Sequence, residues 1–264
     1  GSEVLGMEQL REGRVEHDQE EQRAHHRRGG RAPHTFGAAG MLEQQGVEYR
    51  EVSLPGGFHP LILWGLGFRG ATVPALRLSD GRRVQGSRAI AAALHEAGEE
   101  GGLFPADPEL RARVEAAERW GEEVLQPIPR RLIRRGLRDH LRQRQWFADV
   151  ASPFPAPRLT GALLTPLVPV FIAQAGATHV RVRQDRDELP ALLDHVDDLL
   201  AEGTIGGPRL NAADWQIGTT VRMLLAFEDV AALVAGRPAE AHARRVQPDY
   251  PAIPAALSAF AEGA

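Results

Sequence analysis

The stretch Ala71–Leu94, with the sequence ATVPALRLSDGRRVQGSRAIAAAL, contains the pattern that decides the fold. Thr72–Leu78 predicts a β-strand, because its apolar residues alternate with residues that point the other way. The Asp80-Gly81 pair predicts a hairpin turn, since glycine adopts positive φ at no steric cost. Arg82–Gln85 would then return antiparallel to the first strand. The stretch therefore predicts a tight β-hairpin.

A helix is predicted directly after this hairpin. Gly86 and Ser87 break the second strand, and the Ser87 hydroxyl would cap a helix that begins at Arg88. Pro74 is unusual inside the first strand, because proline cannot donate to the ladder and belongs at a strand edge or start. Taken alone, Pro74 would be expected to be trans, the isomer of most X–Pro bonds.

The order and spacing of these features resemble the thioredoxin-like half of glutathione S-transferases. The matching residues are Val-Pro-Ala-Leu, the Asp-Gly turn, and Ser-Arg-Ala-Ile about a dozen residues further on. The resemblance implies that Pro74 is cis and that the Val73 backbone pairs with the cysteinyl amide of glutathione. It also implies that Ser87 holds the γ-glutamyl carboxylate, with Gln85 and Arg88 as further contacts. A carboxylate is favourable at a helix start, where free N–H groups and the positive dipole end meet it.

Two positions depart from the pattern of that family. The residue before the serine is usually Glu, Asp or Gln, and here it is Gly86. The resemblance also requires a buried first strand near residues 21–31, where this sequence has no apolar run. We therefore expect an atypical or missing first strand.

The composition restricts the class of protein and the kinds of site. At 264 residues, the chain fits one large domain or two modest ones. It has no cysteine, which excludes disulfides, thiolate metal ligands and a cysteine nucleophile. All 31 basic residues are arginine, and the net charge of −4 argues against a nucleic-acid binder. We expect no metal site.

Residues 1–30 are rich in charge and poor in apolar side chains. This composition predicts an irregular or disordered arm, with a functional arm as the alternative. His25 and His26 could bind metal adventitiously, but no third ligand at a useful spacing supports a real site. The segment shows no apolar core of a secretory signal, so we expect a cytoplasmic protein.

The residue that would activate the thiol is the weakest part of the resemblance. Pro33–Gln45 predicts the first helix, and Glu48–Leu54 alternates as the following strand. The family places a serine or cysteine before this helix, and that position is Ala32 here, which has no hydroxyl. Thr35 is the nearest hydroxyl and the fallback candidate for the catalytic residue, and His34 is a weaker one.

From Asp107 onward the pattern is helical almost throughout. Asp107 is expected to cap a helix with Pro108 in its first turn, and Pro127 and Pro129 to interrupt the helical run. Seven arginines then recur at helical spacing: Arg130, Arg131, Arg134, Arg135, Arg138, Arg142 and Arg144. They are either a solvated basic face or an anion-attracting wall of the cleft, because the corresponding helix of the family lines the second-substrate site.

The last third of the chain contains one uncharged segment and two helix signals. Leu159–Val180 carries no formal charge, but its prolines and glycines argue against a membrane span and favour a buried or cleft-lining helix. Arg181–Glu188 is interpreted as a charged connector, and Leu189–Leu200 as an amphipathic helix. Asn211 and Asp214 predict a capping box, which we assign to folding and not to chemistry.

These observations predict a thioredoxin-like α/β domain over residues 31–104 and an all-helical domain over residues 105–264. The resemblance implies glutathione as a substrate, a small electrophile as its partner, and a possible homodimer. We expect no nucleic-acid or membrane partner. The alternative function is a non-catalytic binding or structural protein on the same fold, with the thiol-activating residue lost. A third possibility, nucleic-acid binding through the arginine helix, is disfavoured by the net charge.

Overall fold

A β-hairpin and a series of helices make up the described part of the chain. The computed structural model describes residues 36–52, 54, 59–98, 102–139, 144 and 165–250. Its strands are β1 Ala75–Arg77 and β2 Arg83–Gln85. Its α-helices are α1 Phe36–Gln44, α2 His59–Gly65, α3 Ser87–Ala97, α4 Pro108–Trp120, α5 Pro127–Asp139, α6 Val168–Ala175, α7 His179–Ala201, α8 Ala212–Leu224, α9 Glu228–Val234 and α10 Pro238–Val246.

The hairpin forms where the sequence predicts it, with shorter strands. It is antiparallel and pairs Ala75 with Gln85, Leu76 with Val84, and Arg77 with Arg83. Gly81 has a φ of 87°, the left-handed conformation that the turn requires. The Leu78 N–H donates to the Arg82 carbonyl over 2.8 Å and closes the turn.

The strand predicted over Glu48–Leu54 is wrong for the residues of that range that the structure describes. No ladder forms there, and the Val52 side chain is 65% exposed. A strand is stable only when one face is buried or its backbone is paired, and this segment gains too little from either. Tyr49 instead packs against the core, and its hydroxyl donates to Glu43 Oε1 of α1 over 3.0 Å.

Helix α1 packs directly on α8 through a glycine. A Cβ added at Gly40 would lie 2.1 Å from Cζ3 of Trp215, so only glycine lets the indole approach this closely. The Trp215 Nε1 donates to Gln44 Oε1 over 2.9 Å, and the Gln44 Nε2 donates to the Leu210 carbonyl over 2.7 Å. These contacts join the first described helix to the C-terminal half of the chain.

The predicted helix start at Asp107 and the interruption at Pro127 are confirmed. The Asp107 carboxylate accepts the Leu110 N–H over 2.7 Å at the start of α4. A π-helical segment, Gly121–Leu125, follows α4, and Pro127 is the first residue of α5. A proline is tolerated there, because the first-turn N–H has no partner within a helix.

The interpretation of Arg181–Glu188 as a connector is wrong, because these residues belong to the 23-residue helix α7. Thr178 caps that helix by accepting the Arg181 N–H over 3.1 Å. One residue of this charged sequence, Asp185, is fully buried and paired with arginines. The amphipathic face predicted further along the same helix is buried as expected, through Leu189, Leu193, Val196 and Leu199.

Helix α8 is the central helix of the core. The predicted capping box is present: the Asp214 N–H donates to Asn211 Oδ1 over 3.0 Å, and the Asn211 N–H donates to Asp214 Oδ2 over 2.7 Å. The Ala212 N–H donates to the Leu103 carbonyl over 2.9 Å, which fastens the segment between α3 and α4 to this helix start. The apolar core is continuous across the junction between residues 104 and 105.

The contacts of the chain group residues 32–264 into one compact unit. The predicted domain boundary near residue 105 falls inside that unit and stays a prediction. Among the described helices, none is both long and apolar enough to cross a membrane. In the uncharged segment Leu159–Val180, the described residues form a 3-10 turn at Thr165–Leu167, then α6 and the start of α7.

Candidate functional site

One backbone hydrogen bond joins the hairpin to the start of α3. The Gly86 N–H donates to the Pro74 carbonyl over 2.9 Å, so the segment before β1 lies beside the first turn of the helix. The peptide bond between Val73 and Pro74 is cis, which is the isomer that the resemblance implies. Val73, Pro74 and Ser87 are therefore brought together in space.

The cap of α3 differs by one residue from the prediction. Gly86, with φ of 87° and ψ of 149°, occupies the N-cap position, and Ser87 is the first helical residue. The serine cap is wrong because positive φ favours glycine at the boundary, so the helix begins one residue earlier. No side chain caps the helix, and the first-turn N–H groups have no acceptor among the described residues. The Ser87 hydroxyl is left available for another partner.

The backbone of Val73 is also unpaired in the part of the chain that the structure describes. Neither its N–H nor its carbonyl makes a backbone hydrogen bond there. The segment that carries it is held by Gln85, whose carboxamide accepts the Gly70 N–H over 2.6 Å and donates to the Gly70 and Thr72 carbonyls. Gln85 thus positions the chain just before Pro74, and its own polar atoms are already occupied.

Arg88 points toward the helical half of the chain. Its Nε lies 3.7 Å from Glu118 Oε2, and its Nη1 lies 3.5 Å from Glu122 Oε2. The Glu118 side chain, on α4, is almost completely buried. Burial raises the pKa of Glu118 to about 7, with the Arg88 charge opposing and the Glu122 and Glu115 charges adding to the rise.

Sequence reasoning missed Glu118. Its position in the sequence did indicate burial. Glu118 lies four residues after the buried Val114, so the helical repeat places both on the buried face of α4. A glutamate is rarely buried unless it is paired, so the pattern favoured a solvent-facing side chain. Only the packing of Arg88 from α3 against α4 makes the buried position tolerable.

We expect Glu118→Gln to flatten the dependence of stability on pH. A carboxyl whose folded pKa exceeds its unfolded value stabilises the protein below pH 4.5, and this contribution is lost as the pH rises toward 7. Wild type should lose roughly 3 kcal/mol between pH 4.5 and 7.5 through this group, and the variant should not. Urea denaturation at both pH values measures the difference. An unchanged slope in the variant would contradict the assignment.

A small polar cavity separates the start of α3 from α4 and α8. Its volume is about 20 Å³, and its polar lining comes from Ser87, Glu118, Gln126, Gln216, Thr219 and Thr220. The Gln216 Nε2 is buried there without a hydrogen-bond partner among the described residues. A cavity of this size and polarity suits one water molecule. A peptide ligand would have to lie outside it, along the unpaired backbone.

The remaining predicted residues lie elsewhere. Ala32, His34 and Thr35 fall outside the described residues, so Thr35 stays a prediction as the thiol-activating residue. His59 is half-buried at the start of α2. Burial and the Arg134 charge lower the pKa of His59, while a hydrogen bond with the Ala71 backbone raises it. That bond places His59 next to the same segment that Gln85 holds.

Comparison with known proteins finds similarity among solved structures. No protein-family model matches the chain, and no curated protein matches it by sequence. The structure is similar to that of a glutathione S-transferase domain-containing protein from Marinobacter aquaeolei VT8. The two are 18% identical, the match covers 79% of this chain and 95% of that chain, and the TM-score is 0.47. A likeness this weak carries no argument about what the chain binds.

Proposed function

We propose that this protein binds glutathione at the junction of the hairpin and α3, and conjugates it through its thiolate to a small electrophile. The observation that carries the proposal is the hydrogen bond from the Gly86 N–H to the Pro74 carbonyl. It holds two sets of unpartnered backbone groups side by side, those of Val73 and those of the first turn of α3. One extended peptide with a carboxylate at its end can satisfy both.

Each part of the peptide has a partner of suitable chemistry. The N–H groups and positive dipole end of α3 favour the γ-glutamyl carboxylate, and the Ser87 hydroxyl adds a donor. The Val73 N–H and carbonyl suit the cysteinyl amide, in the manner of an added strand. The thiolate would then attack an electrophilic carbon and form a C–S bond, while the leaving group on that carbon departs with its bonding electron pair. Thr35 is the proposed donor to that thiolate, which would favour its charged form.

A binding protein without turnover is the second candidate, and Ala32 favours it. Alanine at the position where the family has serine or cysteine cannot donate a hydrogen bond to sulfur. An assay of glutathione with a generic aromatic electrophile separates the candidates. Turnover well above the uncatalysed rate supports the transferase, and glutathione binding without turnover supports the binding protein.

We expect Ser87→Ala to weaken glutathione binding by roughly 1–3 kcal/mol, the cost of losing a hydrogen bond to a charged group. Isothermal titration calorimetry on the purified protein measures the change. Ser79→Ala is the matched control, because Ser79 is an exposed serine in the turn of the same hairpin. No detectable binding of glutathione to the unmodified protein would refute both candidates.

A further inference from the structure

Two arginines of α5 are desolvated without forming a direct ion pair with a described residue. Arg130 and Arg134 are half-buried and lie one helical turn apart, so their side chains share a face. Neither forms an ion pair or a side-chain hydrogen bond with any residue that the structure describes. Burial lowers the pKa of both, and the positive charge of Arg134 lowers that of Arg130 further.

Other partly buried arginines of this protein have been given partners. Arg131, between the two, binds Asp185 through two hydrogen bonds of 2.6 Å. Arg88 is paired with Glu118 and Glu122, and Arg237 with Asp197 and Asp194. Arg130 and Arg134 differ from these three arginines, because neither makes an ion pair with a described residue. Burying a charge without a partner costs stability, and function is the usual reason for that cost.

The surroundings of the pair extend toward the candidate glutathione site. Arg134 is close enough to His59 of α2 for its charge to lower the pKa of the imidazole. At the other end, Glu122 acts electrostatically on Arg130 and is itself paired with Arg88, next to Ser87. His59 also bonds to the backbone of Ala71, two residues before Val73. Electrostatically, the arginine pair is therefore coupled to His59 through Arg134 and to Glu122 through Arg130.

We propose that Arg130 and Arg134, with His59 beside them, form a binding site for the oxyanion group of a small organic ligand. A carboxylate and a phosphate share the required chemistry, since each accepts paired N–H bonds from a planar guanidinium. The anion would supply the direct ion pair that neither arginine makes with a described residue. The proposed site is formed by residues of α5 and α2 alone, so the proposal does not depend on glutathione binding at α3.

The test measures the melting temperature of the full chain against the concentration of sodium phosphate, with sodium chloride at matched ionic strength as reference. Phosphate should raise the melting temperature above the chloride series, and the apparent affinity follows from that dependence. Sodium acetate in a parallel series shows whether a carboxylate suffices. Arg134→Gln and Arg130→Gln should each weaken the apparent affinity at least tenfold.

Arg138→Gln is the matched control, because Arg138 is an exposed arginine one turn further along the same helix. It should leave the phosphate effect unchanged, and an equal loss in Arg138→Gln would show diffuse attraction and overturn the proposal. In chloride alone, Arg134→Gln should melt a few degrees higher than wild type, since it removes an uncompensated charge. A lower melting temperature would mean that the Arg134 side chain stabilises the fold through packing, and would also overturn the proposal.

Discussion

Replacing Asp185 with alanine is expected to lower the free energy of unfolding by about 3–5 kcal/mol. The Asp185 carboxylate is fully buried in α7 and accepts two hydrogen bonds of 2.6 Å from Arg131 of α5. The Arg181 Nη2 adds a contact of 2.9 Å from one turn earlier in α7. Without the carboxylate, Arg131 stays largely buried with no opposite charge. This state is less stable than one with the intact ion pair or one with apolar residues at both positions. Urea denaturation at neutral pH measures the loss.

Two further variants distinguish the buried pair from a general charge effect. Asp187→Ala removes an exposed carboxylate from the same helix and should change stability by less than about 0.5 kcal/mol. The double variant Arg131→Met with Asp185→Leu should recover most of the loss, because apolar side chains can replace a buried ion pair. If Asp185→Ala and Asp187→Ala were equally stable, the interaction would contribute nothing measurable.

Asp214→Ala is expected to cost about 3 kcal/mol of folding stability. The Asp214 carboxylate accepts the Gly206 N–H over 2.6 Å and the Asn211 N–H over 2.7 Å, and it is fully buried. Each of these donors would be left unsatisfied, at about 1–3 kcal/mol apiece. The variant also removes the reciprocal half of the capping box at the start of α8.

The matched variant here is Asp214→Asn, which keeps one carbonyl oxygen in nearly the same volume. It should lose about half as much stability as Asp214→Ala, since one of the two N–H groups keeps an acceptor. Asp198→Ala, at an exposed position of α7, is the control for loss of charge alone. Equal stability of Asp214→Ala and Asp198→Ala would argue that water replaces the lost acceptor.

These two carboxylates matter for the candidate site because they fix the helices behind it. Asp185 joins α7 to α5, the helix that carries the unpaired Arg130 and Arg134. Asp214 fixes the start of α8, which lines the cavity next to Ser87 together with α4. A loss of glutathione or phosphate binding in either variant should therefore be interpreted only alongside its melting temperature.

Much of the local structure followed from the sequence. The hairpin turn at Asp80-Gly81, the Asp107 cap and the Asn211–Asp214 capping box are all confirmed. Each depends on hydrogen bonds between residues two to four positions apart, so the residues that decide them are neighbours in the chain. The serine cap at Ser87 failed by one position, because a glycine at the boundary adopts the positive φ itself.

The predictions that failed, or were not made, concern charged residues whose partners are distant in the chain. Arg181–Glu188 looked like a solvated connector, yet Asp185 pairs with Arg131, 54 residues away. No prediction was made for Glu118, which is buried with Arg88 of α3 packed against it. Periodicity alone cannot identify a buried charge, because the residue that compensates it is not part of the pattern.

The sequence by itself determined the turns, the caps and the apolar faces of this protein, because these depend on short-range hydrogen bonds and on the spacing of apolar side chains. The tertiary structure alone decided which charges are buried and which are paired. Desolvation and ion pairing depend on which groups another helix places beside a side chain. Asp185 and Arg134 are opposite examples. Asp185 received its partners from α5 and from its own helix, while Arg134 has none among the described residues.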